Sequence, residues 1–160
     1  MARIGITGHS NLSPDSVSLV ETALRDHLRA EGDGELVGVT CLARGADQIF
    51  ARAVLALGGT TTVVLPAEDY RERKVGPDNA AEFDALIDRA TDVEVMPFER
   101  STRDAYVAAS ERVLNLVERL VAVWDGQSSD GRSRTADVVA AARQRGIPVV
   151  VIWPENARRA

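Results

Sequence analysis

Three short stretches place anion-gripping residue types where an apolar run gives way to a helical pattern. The first is Gly8-His9-Ser10. A glycine at that turn lets backbone approach a ligand closely, and it serves equally well as a plain tight turn. His9 has no second and third partner of the kind a zinc ion needs, so the imidazole is expected to hydrogen-bond a ligand or its own loop, and no metal site is expected. The second stretch is Ala43-Arg44-Gly45-Ala46-Asp47. It offers free backbone N–H groups at a helix start and a guanidinium able to hold a phosphate or carboxylate by two parallel bonds. The plainer alternative is that Arg44 pairs with a neighbouring acid while Asp47 complements the helix dipole. The third comprises Asp125-Gly126 and, after a polar loop, Gly131-Arg132-Ser133-Arg134-Thr135-Ala136-Asp137. Thr135 fits a helix cap, and glycine, arginines and helix start together make an anion site; a solvated loop explains the same residues.

Other reactive types are thinner. Cys41 would meet His9 if the first two strands are neighbours, as a thiolate nucleophile requires, but a lone cysteine ending an apolar run also suits a packed small residue. Ser10 lacks the Gly-x-Ser-x-Gly elbow. The mixed-charge loop Glu68 to Pro77 reads either as a lid, with Arg71 or Lys74 reaching a phosphate, or as a solvated connection.

The elements that must position these residues alternate. Strands are expected at Arg3–Thr7, Glu35–Thr40, Thr61–Leu65, Val93–Met96, Leu120–Trp124 and Pro148–Trp153. Most are near-continuous apolar runs, the mark of strands covered on both faces. Helices are expected at Pro14–Arg29, Ala46–Leu57, Ala80–Ala90, Thr102–Val117 and Thr135–Arg145. Ser13 precedes the first as an N-cap with Pro14 at its first position, and Gly58-Gly59 and Gly146 stop two of the others. Ala67–Asn79 and Asp125–Arg134 carry no period and read as loops. Each follows a strand, which in a parallel sheet puts it at the carboxyl edge where ligands bind. The expectation is an α/β, three-layer Rossmann-like domain: a mainly parallel sheet of about six strands with helices on both faces.

Length and composition set the outer bounds. The 160 residues suit one domain spanning 1–160. A net charge of −5 disfavours broad binding to nucleic-acid backbone, which depends on Lys and Arg releasing counterions. One cysteine excludes an intramolecular disulfide framework, and no long apolar stretch suggests a leader or a membrane span, so a cytoplasmic protein is expected.

At this point a family resemblance emerges. Leu42-Ala43-Arg44-Gly45-Ala46-Asp47, the Ala-rich helix after it, Gly58-Gly59 and Val63-Val64-Leu65 resemble the corresponding stretch of the DNA-processing protein A family. Trp124-Asp125-Gly126 and Thr135-Ala136-Asp137 resemble the later half of the lysine-decarboxylase-like LOG proteins. Both belong to the SLOG superfamily of modified Rossmann domains that bind nucleotides or related ligands. The resemblance implies Gly8, Arg44, Gly45 and Thr135 as binding-loop positions, and adds Tyr106 and Ser110 on the helix before the fifth strand.

The chain departs from the LOG pattern Pro-Gly-Gly-x-Gly-Thr-x-x-Glu. No glycine precedes Thr135, and the acid Asp137 follows it by two residues rather than three. On a helix one residue turns a carboxylate by roughly 100°. The leading expectation is therefore a module binding a nucleotide or nucleotide-derived ligand, phosphates at the helix starts near Arg44-Gly45 and Thr135, with Asp47 or Asp125 accepting from ribose hydroxyls. The alternative is a phosphoribohydrolase cleaving the N-glycosidic bond of a nucleoside monophosphate, with Asp125, Asp137 and Glu111 as the available acids. Single-stranded DNA binding ranks third, since such sites want a basic groove with stacking aromatics and this chain has 4% aromatics. No cofactor is expected, and a symmetric dimer is the default assembly.

Overall fold

The computed structural model describes residues 2–31, 34–127 and 134–160. Its strands are β1 (Ala2–Gly8), β2 (Leu36–Thr40), β3 (Thr60–Leu65), β4 (Asp92–Val95), β5 (Arg119–Val123) and β6 (Val149–Ile152). Its helices are α1 (Pro14–Ala30), α2 (Ala46–Ala56), α3 (Tyr70–Lys74), α4 (Ala80–Arg89), α5 (Arg103–Leu116) and α6 (Arg134–Gln144). The six strands form one sheet in the order β4-β3-β2-β1-β5-β6, and every pairing is parallel.

Alternation along each strand explains why the runs are apolar throughout. On β1, Ile4 and Ile6 enter a core shared with Val20 and Leu24 of α1 and Phe50 of α2, whereas a side chain at Gly5 would meet Val113 and Val117 on the other side. On β3, Val63 packs with Phe83 and Leu86 of α4, and Val64 with Ala109 and Val113 of α5. Leu120 of β5 joins Leu114 and Ala142, fixing α5 and α6 on that second face. Helices α1, α2 and α4 thus cover one face, α5 and α6 the other. Phe50 is fully buried, so trimming it to alanine would cost about 3–5 kcal/mol.

Gly8 and Gly45 are glycines for packing reasons. A Cβ on Gly8 would stand 2.5 Å from that of Ala46, and one on Gly45 2.7 Å from the carbonyl oxygen of His9. Gly45 also has φ +87°, and the next residue, Ala46, donates its N–H to that same carbonyl at 3.2 Å. The start of α2 is in this way pressed against the turn that follows β1.

The first exception to the sequence reading is the stretch Ala67–Asn79, which carries the short helix α3. Only Tyr70 of its five residues is buried, so it has no apolar period to show. Asp69 ties the start of α3 to the loop before α5, accepting from the Ser101 N–H at 2.8 Å and hydroxyl at 2.6 Å. A buried amide pair holds the same region to α2: Gln48 and Asn79 each donate to the other at 2.9 Å. Gln48 also donates to the Leu42 carbonyl at 3.1 Å, bracing a non-glycine residue at φ +56°.

Candidate functional site

The strand order reverses between β1 and β5, because β2, β3 and β4 lie to one side of β1 and β5 and β6 to the other. At such a switch point the loops leaving the carboxyl ends diverge and leave a crevice. A cavity of about 430 Å³ opens there. Its wall takes Gly8, His9, Ser10 and Asn11 from the end of β1 and the turn after it, Cys41, Ala43 and Asp47 from the β2–α2 junction, and Tyr106 and Ser110 from α5. Ile6 and Thr7 of β1, Tyr70 of α3, Val113 of α5, Arg134, Thr135 and Val138 of α6, and Arg159 of the C-terminal segment also line it. A shallower groove of about 380 Å³ adjoins it and shares Tyr106, Ser110, Arg134 and Val138; Lys74, Glu111 and Asp137 line only this outer groove.

His9 is buried, edge-on to the Trp153 ring with centroids 5.6 Å apart. Its Nε2 accepts from the Asp125 N–H at 3.2 Å, and Asp125 Oδ1 lies at the same distance from that nitrogen. Burial lowers the imidazole below its usual value, outweighing the Asp125 carboxylate, which would accept from the protonated ring and so raise it. The neutral ring, accepting the backbone N–H, is the resting form. Burial works against the Asp125 carboxylate, yet the Gln127 N–H, His9 and Arg159 together hold it below the usual range. It stays ionised.

Asp47 behaves in the opposite way. Burial pushes its carboxyl up to about 7, opposed by the Ala43 N–H that it accepts at 3.2 Å. Burial likewise pushes up the thiol of Cys41 and the phenols of Tyr70 and Tyr106, Arg134 working against it at both tyrosines. A raised thiol is a poor nucleophile, which leaves Cys41 as a packed residue in this wall. The inner wall therefore mixes polar groups with Ile6, Val113 and Val138, and its acid, Asp47, changes charge near neutrality. Positive charge enters from Arg134, whose guanidinium lies 3.8 Å over the Tyr106 ring, and from Arg159.

Of the residues singled out in the sequence, Gly8, His9, Ser10, Ala43, Asp47, Tyr106, Ser110, Arg134 and Thr135 are brought to one cavity. Arg44 is not. Its guanidinium pairs with Asp78 at 2.6 Å on the exposed side of the loop, outside the cavity wall. Gly45 stands behind the cavity, pressed on the backbone of His9 and Ser10. Asp125 supports His9 from the side rather than lining the space, and Gly126 is exposed beside it with φ +82°. Helix α6 begins at Arg134, so buried Thr135 sits inside its first turn instead of capping it, with Ala136 half-buried behind. Gly131 lies outside the described residues. Arg71 is drawn away from the cavity by a two-pronged bond to Asp84 at 2.7 and 2.6 Å. Among the described residues no group of three His, Cys, Asp or Glu side chains is placed to hold a metal ion, and no helix is long and apolar enough to cross a membrane.

Sequence reasoning missed Arg159 and Asn11. The C-terminal segment returns to β1's end through a single bridge, Leu12 to Arg159, with the Ser13 N–H donating to the Arg158 carbonyl at 2.9 Å. An isolated bridge leaves no periodic trace in a sequence.

No protein-family model and no curated protein matches the chain. Solved structures do. DNA processing protein A from Streptococcus pneumoniae aligns with 98% of this chain and 52% of its own at TM-score 0.72 and 19% identity. Its namesake from Helicobacter pylori, described for its single-stranded DNA binding mode, covers 99% of this chain and 68% of its own at TM-score 0.68 and 19% identity. The molybdenum cofactor carrier protein of Chlamydomonas reinhardtii covers 94% and 75% at TM-score 0.57 and 22% identity. This chain spans about half the length of the Streptococcus protein. These likenesses show the Rossmann-like α/β fold that the sequence leads one to expect.

Proposed function

We propose that this chain is a binding module for a nucleotide or nucleotide-derived small molecule, held in the cavity between the carboxyl ends of β1, β2 and β5. One observation carries the reading: a cavity of about 430 Å³ at the switch point combines a wall of mixed polar and apolar side chains with two guanidinium groups and the rings of Tyr70 and Tyr106. That volume is in the ordinary range for a small-molecule site. A base or sugar suits the wall of Ser10, Asp47, Tyr106 and Ser110, while a phosphate suits the arginines and the start of α6.

Binding is favoured over turnover by where the acids lie. Asp125 lies beside His9 outside the cavity wall and accepts from the Gln127 N–H, and Glu111 and Asp137 are exposed along the outer groove. A glycosidic-bond hydrolase needs an acid poised beside the anomeric carbon; none of these three lines the inner cavity, and Asp47, which does, is held by the Ala43 N–H. The structural neighbours bear on ligand class, one being described as binding single-stranded DNA and another as carrying a cofactor. A compact cavity of about 430 Å³ suits one nucleotide unit better than a strand, which wants an extended basic groove.

Calorimetric titration with AMP, GMP, ribose 5-phosphate and an oligothymidylate tests the proposal. One equivalent of a mononucleotide should bind, and Ser110→Trp, which fills the cavity from α5, should abolish it without lowering the melting temperature. Tight oligothymidylate binding with no mononucleotide binding would replace this reading with the strand-binding one. Mononucleotide binding untouched by Ser110→Trp would remove the cavity from it.

A further inference from the structure

The C-terminal segment is sewn to the turn after β1. Besides the Ser13 and Leu12 contacts, the Arg158 N–H donates to Ser16 Oγ at 2.6 Å, and Ser16 is fully buried on α1. That anchoring delivers the Arg159 side chain into the wall of the inner cavity, beside Asn11 and Ser10. Once there, its guanidinium is only loosely engaged: Nε points at Asn11 Oδ1 from 3.4 Å, and Nη1 stands 3.7 Å from Asp125 Oδ2. Both separations exceed the 2.7–3.2 Å of a normal N–H···O bond. Arg71, Arg112 and Arg44 in the same protein each hold a carboxylate at 2.8 Å or less. Arg159 is thus oriented by a carboxylate without being spent on it, and a guanidinium keeps five donors in a fixed fork.

We propose that Arg159 is a ligand-binding residue: the C-terminal segment is part of the site, and its guanidinium, with that of Arg134, receives the anionic group of the ligand. The inference rests on the nucleotide reading above and narrows it to ligands carrying a phosphate or diphosphate; the bare nucleoside lacks the group these arginines take. It also moves the anion away from the start of α2. There the Ala46 N–H is taken by the His9 carbonyl, the Ala43 N–H by Asp47, and the Arg44 guanidinium by Asp78.

The test is titration of the full chain and of Arg159→Ala, Arg159→Lys and Arg158→Ala with AMP, adenosine and inorganic pyrophosphate. The Arg158 side chain is exposed and makes the same change in charge one residue away, so it controls for general electrostatics. Arg159→Ala should weaken AMP and pyrophosphate at least tenfold while leaving adenosine within twofold. Arg159→Lys should recover part of that loss, and Arg158→Ala should bind as wild type. A wild type that binds AMP equally well after Arg159→Ala overturns the role of Arg159 and leaves the nucleotide reading standing. Pyrophosphate binding lost in Arg159→Ala, with no mononucleotide bound by the wild type, supports the anion site and overturns the nucleotide reading. Equal losses in Arg158→Ala and Arg159→Ala, or a wild type that binds none of the three, overturn the inference. Melting curves on every variant exclude a loss through unfolding.

Discussion

Replacing Gly45 by alanine separates two explanations of that glycine: one in which it lets a ligand approach backbone, and one in which it lets α2 press on the turn after β1. The packing explanation has a magnitude. Its φ of +87° with ψ −127° lies outside the regions an L-residue favours, a strain of about 1–3 kcal/mol. The added Cβ would also stand 2.7 Å from the His9 oxygen and 2.8 Å from both the Cα and the oxygen of Ser10. These are backbone atoms that cannot swing aside as a flexible side chain would, and overpacking of this kind adds about 1–3 kcal/mol. A loss of about 2–6 kcal/mol is expected, which for a chain of this size lowers the melting temperature by roughly 4–24 °C. Gly146 supplies the control: its φ is +75° and nothing lies within 4 Å of its would-be Cβ, so Gly146→Ala should cost only the backbone strain of about 1–2 kcal/mol. Urea denaturation of wild type and both variants, without ligand, reads the difference directly. If Gly45→Ala loses no more than Gly146→Ala, the junction between α2 and the β1 turn relaxes freely and the packing account is wrong.

Asp47 should make the protein less stable as pH rises. Its carboxyl titrates near 3.8 when unfolded and about 7 when folded, so between those values the unfolded chain holds fewer protons and stability falls, levelling off above 7. Relative to Asp47→Asn, the wild type should lose about 2–3 kcal/mol between pH 5 and pH 8 in urea melts, and parallel pH profiles for the two would refute this. His9 has the opposite sign. Its lowered value means the unfolded chain takes a proton first on acidification, so this histidine's contribution is present above its ordinary 6.5 and is lost as pH falls through that value to the folded one. Proton NMR should place the His9 midpoint below 6.5, and Asp125→Asn, which removes the partner that raises it, should move the midpoint lower still. Arg44→Ala should change mononucleotide affinity less than twofold, because its guanidinium is held by Asp78 outside the cavity; a tenfold loss in calorimetry would return Arg44 to the site.

The strands and long helices were legible because the physics that forms them is local. Val63 and Val64 are both apolar since each faces a different helix layer, and Pro14 opens α1 where its missing N–H costs nothing. Much of the cavity was legible too, because it is made where strands give way to helices, and glycine, serine and histidine mark those junctions. What was not legible depended on distant partners. Asp78 is 34 positions after Arg44, and nothing in Leu42-Ala43-Arg44 reveals that a later loop will claim its charge. Asp47 read either as an acceptor for ribose hydroxyls or as a complement to the helix dipole, and only the folded chain shows it as a buried carboxyl. Arg159 gave no signal at all, since a single bridge with its two backbone hydrogen bonds, and a bond from the Arg158 N–H to the Ser16 hydroxyl, place it.

The paired amides of Gln48 and Asn79 have a bearing on how this chain chooses among its own segments. Each presents one donor and one acceptor to the other, at 2.9 Å both ways, so the two read one another much as complementary bases do. The match carries no net charge, and neither salt nor pH in the working range weakens it. It is also exclusive. An acid at either position would set acceptor against acceptor, and an apolar residue would leave a buried amide unanswered. In the folded chain Asn79 answers Gln48 in this way, so the pair acts as an address label written in hydrogen bonds, fixing the start of α4 in its berth.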